Sequence, residues 1–286
     1  MVAVRDIIIT GLLLGGIYAL VSVGLSLEYG VGRVLNVAHG EFIMLGAFIT
    51  FWLTSSYHLN ALLTLVVSAP LIFAVGWFLH ATLFRRLMDS APSLDIFEGK
   101  SMLASFGLLY VVQNIARIIW GSQTHQVMFL SRTVTAAEIP LNRLVALGVV
   151  VVVAVAFYIF LARTRMGKAI RASAQDPTTA GLMGVNIHSV LAICFGLGLA
   201  MAGIAGSLIS TVLAIDTSMG LQYTVIAMIV VVLGGLGSMT GAIIGGVILG
   251  IVSQIVTYFQ PTMTFIAYYA IFIVLLLVRP KGILGK

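Results

Sequence analysis

The residues of this chain with chemistry to offer fall in three places, and the first is the string LNVAHGEF, where Asn36, His39 and Glu41 form the densest polar group beside apolar segments. A charged side chain in a bilayer costs at least about 2.5 kcal/mol on insertion scales, so such residues face protein, water or a functional path. Gly30, Gly32 and Gly40 around them permit a broken helix. Irregular backbone at membrane depth is tolerated where it is buried in protein or lines a cavity. Two readings stay open. In one, the break lines or gates a solute route, with helix-end dipoles and polar side chains receiving a zwitterion. In the other, Glu41 caps the following helix and His39 bonds a neighbouring carbonyl.

Gln113, Asn114 and Arg117 form the second group, on an apolar run. Asn114 and Arg117 share a helical face at i, i+3. Arg117 lies near the end of the run and can snorkel, while Gln113 and Asn114 are candidates for a solute path. The third place is the stretch RMGKAIRASAQDPTTAGLMGVNIHSV at 165–190. From Met166 to Gln175 the basic residues can reach along a membrane surface while Met166, Ala169 and Ile170 face inward. Asp176 then suits an N-cap, Pro177 the first helical position and Gly184 the stop after Met183, which predicts a helix of about two turns. A helix that short is unstable alone in water, so its order must come from packing. Ala180, Leu182 and Met183 are expected to be exposed, suited to a groove on another protein, although a plain interfacial loop would read similarly.

Enzyme chemistry finds little support. There is no G-x-x-x-x-G-K-[ST] phosphate loop, no HExxH, no paired-Asp motif and no nucleophile with a nearby base. The lone Cys194 excludes an internal disulfide and a thiolate metal cluster. The chain is therefore expected to be non-catalytic, with no metal site.

What must position these residues is set by composition. Sixty per cent of the 286 residues are hydrophobic and 8% are charged, against about 25% charged in a soluble domain. The 62 residues from Thr217 to Val278 contain no Asp, Glu, Lys or Arg. A hydrocarbon core is about 30 Å thick, so this stretch crosses it about three times. The net charge of +6 is spread over the ends of apolar runs rather than one face, which argues for topology signals and against nucleic acid.

Apolar runs at 7–27, 40–57, 61–84, 102–120, 142–162, 190–213, 222–239, 241–259 and 262–278 are candidate spans. The fold expected is all-α: a single polytopic bundle over residues 1–286, with about 8–10 membrane segments and a short cytoplasmic helix. The first run reads as a retained helix, not a signal peptide. The basic clusters Arg85-Arg86, Arg163–Arg171 and Arg279, Lys281, Lys286 should be cytoplasmic, and the loop around 121–140, with Arg132 and Glu138, external. If 40–57 crosses fully, the N-terminus is external; if it dips and returns, the N-terminus is cytoplasmic. Small-residue series such as Gly11, Gly15, Gly16 and Gly241, Gly245, Gly246, Gly250 let helices approach closely in lipid.

Four patches carry a family resemblance: YALVSVGLSLEYGVGRVLNVAHGEFIMLGAF at 18–48, the 165–190 stretch, VLGGLGSMTGAIIGGVILGI at 232–251 and LLLVRPKGILG at 275–285. Together they resemble the permease family of branched-chain amino-acid ABC transporters, the LivH-like branch. The resemblance implies that 165–190 contains the coupling helix that sits in a groove of an ATPase subunit, with Asp176, Pro177, Ala180, Gly184, Val185 and Asn186 matching the pattern. It implies, as partners, a second homologous permease subunit, two cytoplasmic ATPase subunits that bind ATP and Mg, and an external substrate-binding protein. The solute implied is a branched-chain amino acid, with urea or a short amide as the alternative within the family. An ion-coupled secondary transporter is the alternative of another class, disfavoured by the lack of carboxylates in 217–278.

Overall fold

The computed structural model describes residues 2–130, 133–134, 139–279 and 282–284. Arg132, Glu138, Lys281 and Lys286 lie outside the described residues. The chain is a bundle of helices: α1 (Val2–Gly32), α2 (His39–Tyr57), α3 (Ala61–Leu79), α4 (Arg85–Asp89), α5 (Leu94–Trp120), α6 (Leu141–Arg163), α7 (Arg165–Gln175), α8 (Pro177–Leu182), α9 (Ile187–Val212), α10 (Met219–Gly234), α11 (Met239–Phe259) and α12 (Thr264–Val278). A π-helical turn at His80–Phe84 joins α3 to α4. Two-residue strands β1 (Thr133–Val134) and β2 (Ile139–Pro140) pair antiparallel between α5 and α6.

Among the described residues seven helical segments are long and apolar enough to cross a membrane: Arg5–Gly32, Ala61–Asp89, Leu94–Trp120, Leu141–Arg163, Ile187–Val212, Met239–Phe259 and Pro261–Val278. The expected spans at 40–57 and 222–239 appear as α2, which opens on His39 and Glu41, and as α10, which has only 16 residues. The expected span 102–120 begins earlier, at Leu94, because Ser93 accepts the Ile96 N–H and starts the helix eight residues before the apolar run.

The centre of the bundle is α1 and α9, the most enclosed of the long helices, while α3, α5, α6 and α12 leave apolar faces outward. Such exposure of Leu, Val and Phe is what a lipid-facing surface requires. α1 runs along α11 on small residues: a Cβ on Gly250 would overlap the Gly15 backbone, and Gly246 lies against Ala19. At one end of the bundle Leu27 and Val31 of α1 pack with Leu161, Ile170, Val190 and Cys194. The Ile283 and Leu284 N–H groups donate to Leu233 and Gly234 carbonyls there, and Gly237 backs onto Gly30. This basic end holds Arg163, Lys168 and Arg171. At the opposite end His125 and Ile215 exchange backbone bonds of 2.8 Å, and Arg143 donates to Thr10 at 2.9 Å. The start of α1 and the C-terminal tail therefore lie at opposite ends.

Candidate functional site at the junction of two helix ends

Between α1 and α2 the chain turns back into the bundle. Arg33 takes a left-handed φ of 53°, and residues 33–38 climb beside α1 so that α2 begins deep inside. His39 Nε2 donates to the Val21 carbonyl at 3.1 Å. Val21 stands 11 residues before the end of α1, roughly 16 Å at 1.5 Å per residue. A non-helical segment at that depth must have its backbone satisfied by protein. The Val37 N–H donates to Ser105 Oγ at 3.0 Å, and the Ser105 hydroxyl donates to the Leu35 carbonyl. The Thr224 hydroxyl donates to the Val37 carbonyl at 3.1 Å, and the Ala38 N–H donates to Asn36 Oδ1 at 3.1 Å.

α10 starts inside as well. After α9 the chain dips inward through Ile215 and Thr217, both buried, and Gly220 and Thr224 in the first turns of α10 meet Gly40 in the first turn of α2. The Gly40 N–H donates to Thr224 Oγ1 at 2.8 Å. A Cβ on Gly40 would overlap the Gly220 carbonyl oxygen, so the two helix starts touch only because both residues lack one. The positive ends of two helix dipoles thus converge at one buried place.

The polar residues of LNVAHGEF divide into two roles. Asn36 and His39 bind Glu28 of α1: Asn36 Nδ2 donates to Glu28 Oε2 at 2.9 Å, and His39 Nδ1 lies 2.9 Å from Glu28 Oε1. Because Nε2 must donate to the Val21 carbonyl, the proton on the Nδ1–Oε1 contact belongs to the His39–Glu28 pair. All three side chains are buried and partnered, so this is a latch between α1 and α2. Glu28 escaped the sequence reading because it sits where an apolar run ends at Tyr29-Gly30, and a terminal acid reads as interfacial. The signal that could have found it is a carboxylate eight residues before Asn36 and eleven before His39, inside a helix with apolar residues on every side.

Glu41 differs. Its side chain is 0% exposed, and neither carboxylate oxygen has a hydrogen-bond partner. It lies against Gly220, where a Cβ would overlap the carboxyl group. The capping reading fails: the Ala38 N–H is held by Asn36, the His39 N–H by the Asn36 carbonyl, the Gly40 N–H by Thr224 and the Glu41 N–H by the Ala38 carbonyl. No donor of that turn is left for its carboxylate. Arg117 of α5 makes no hydrogen bond to either of its oxygens.

Gln113 lies on the buried stripe of α5 with Ser101, Ser105 and Leu109, whereas Asn114 is on the outer face and donates to its own helix at the Tyr110 carbonyl, 2.8 Å away. Asn114 and Arg117 share that outer face without bonding each other. An open apolar groove of about 720 Å³ between α1, α6 and α11, lined by Gly16, Val150, Ala154 and Val247, lies away from the junction. Its polar side chains are Tyr158, Arg171 and Thr240, against an otherwise apolar lining.

At the basic end, α7 and α8 form as their caps predict. Asp176 Oδ1 accepts the Thr178 and Thr179 N–H groups at 2.9 and 3.1 Å, and the Thr179 hydroxyl donates to Oδ2. These bonds, the Thr179 hydroxyl first, hold the Asp176 carboxyl below its usual range. Pro177 opens α8, and Gly184 at φ 86° ends it, with the Val185 N–H donating to the Ala180 carbonyl at 3.1 Å. Asn186 accepts the Ser189 N–H at 3.1 Å and caps α9. Leu182 and Met183 are exposed, at 84% and 81%. Ala180 is a correction: it is buried, because α8 folds back on α7 and α9 and turns that face inward.

The family described as branched-chain amino acid transport system, permease component, matches residues 7–278. The chain belongs to that family. It is 31% identical to the high-affinity branched-chain amino acid transport system permease protein LivH of Escherichia coli K12, over 96% of this chain and 94% of the relative. It is 26% identical to the corresponding permease protein BraD of Pseudomonas aeruginosa, over 98% and 95%. It is 27% identical to a probable LivH of Methanocaldococcus jannaschii, over 93% and 88%. No solved structure matches the chain. Family and helices together make this a multi-pass membrane permease, a transport component of an ABC importer.

Proposed function

We propose that this permease forms half of the path for branched-chain amino acids across the inner membrane. A second homologous permease subunit supplies the other half, two cytoplasmic ATPase subunits bind ATP and Mg and drive the cycle, and an external binding protein delivers the solute. The amino-acid assignment rests on the names carried by relatives that align along nearly the whole chain. The observation that carries the coupling role is α8. It has a side-chain cap at one end and a left-handed glycine at the other, and it holds Leu182 and Met183 out where no described residue covers them. Apolar residues on a preordered helix bind a groove at little entropic cost, and α7 and α9 link this contact rigidly to the centre of the bundle.

The solute path is assigned to the junction of α2 and α10. Glu41 and the two helix starts line it, Gln113 lies farther along the α5 face that carries Ser105, and the Glu28–Asn36–His39 latch fixes the pitch of α2. Reconstitution of the permease pair, ATPases and binding protein in liposomes tests the assignment. ATP should drive leucine or valine uptake, and proton or sodium gradients should not. Uptake without the ATPases would overturn it, and transport of urea or a short amide in place of leucine would reassign the solute.

A further inference from the structure

Among the described side chains buried at the α2–α10 junction, Asn36, His39, Ser105, Thr217 and Thr224 have partners and the Glu41 carboxyl has none. Glu41 is fully buried, both of its oxygens lack a hydrogen bond, and it points at the first turn of α10, whose N-cap Ser218 makes no side-chain cap. The donors of its own helix turn are taken by Asn36, Thr224 and backbone carbonyls. A buried carboxyl without a partner is costly to keep and marks a candidate functional group.

We propose that Glu41 is the acceptor for the ammonium group of the transported amino acid when α2 and α10 part. This deepens the path assignment above and rests on it. The ligand chemistry follows from the site. An acceptor-only carboxylate calls for a donor, and a primary ammonium offers three N–H groups and the complementary charge. The neighbouring helix starts favour negative charge at the carboxyl, and an arriving ammonium favours it further. Gly40 and Gly220 suit the movement: Gly40 meets the Gly220 carbonyl directly, and the side-chain bonds that must break are those of Thr224 to the Gly40 N–H and the Val37 carbonyl. The latch at Glu28, Asn36 and His39 lies on the α1 side and can stay closed while the α10 side opens.

The test is Glu41→Gln, which keeps the shape and removes the charge, in the reconstituted complex with wild type alongside. Three quantities are read: leucine uptake, ATPase stimulation by the loaded binding protein, and the melting temperature of the complex. The expected result is uptake lower by roughly tenfold or more, the size of one lost charge-assisted hydrogen bond, with ATPase stimulation and melting temperature retained. Unchanged uptake overturns the proposal. So does a parallel fall of uptake, ATPase stimulation and melting temperature, or failure to assemble, since those belong to a carboxylate that only steadies the start of α10. Wild-type complex that takes up no leucine would instead remove the path assignment itself.

Discussion

His39 and Glu41 stand two residues apart and do opposite things, because His39 has acceptors to meet and Glu41 has no donor. His39 uses both ring nitrogens, on Glu28 and on the Val21 carbonyl, and Asn36 takes the second Glu28 oxygen. In so enclosed a place each group depends on the others, since removing one partner of a buried pair leaves the other uncompensated, at about 3–5 kcal/mol. Glu28→Ala and His39→Ala are each expected to destabilise the purified permease by about that amount. The double variant should cost less than the sum, because the second change removes a group already stranded by the first. Thermal unfolding of the four proteins in detergent measures the coupling, and additive losses would show that the latch is not a unit. Asn36 and His39 were legible as a polar cluster among apolar residues. Their partner Glu28 was not read, because its pairing runs across a chain reversal rather than at a helical or strand spacing.

At the scale of elements, α8 was legible in the sequence almost residue by residue, because capping is local chemistry: Asp176, Pro177, Gly184 and Asn186 all do what their types dictate. Ala180 was misplaced because six residues carry no hydrophobic period strong enough to say which face turns inward. The inward start of α2 was legible only as the glycines at 30, 32 and 40, since Val34, Leu35, Val37 and Ala38 are as apolar as a helix and their backbone is satisfied by the distant Ser105 and Thr224, and the inward start of α10 was not legible. The α8 cap has a pH signature. The Asp176 carboxyl is held below its usual range in the folded protein, so its contribution is fully present above the unfolded carboxylate value and is lost as pH falls through the folded one. Amide hydrogen exchange at 177–183, corrected for intrinsic rates, should show protection falling as the medium is acidified through that window. Asp176→Asn keeps an acceptor at the cap and should flatten the dependence. A pH profile identical in the two proteins would place the titrating group elsewhere.

For the whole molecule the ends decide the topology. Arg85, Arg86, Arg163, Lys168 and Arg171 gather at the end where the tail folds against Leu233 and Gly234, while the start of α1 lies at the other. Seven segments long enough to cross, together with α2 and α10, connect those ends in an odd number of passes. This resolves the choice the sequence left open at 40–57. α2 does not dip and return on the same side; the chain turns back at Arg33 and α2 completes a pass to the far end, where Phe51 meets the His125 ring at 4.5 Å. Short loops rich in Lys and Arg stay cytoplasmic, so we propose that the basic end faces the cytoplasm and the start of α1 the outside. Cysteine labelling checks it cleanly, because the native Cys194 is buried. Met128→Cys, at a site 92% exposed between α5 and α6, should react with a membrane-impermeant maleimide on intact cells. Met183→Cys, beside the coupling contact, should react only after the membrane is opened, and less so once the ATPase subunits are bound. The reverse pattern would invert the molecule and, with it, the assignment of α8 to the ATPases.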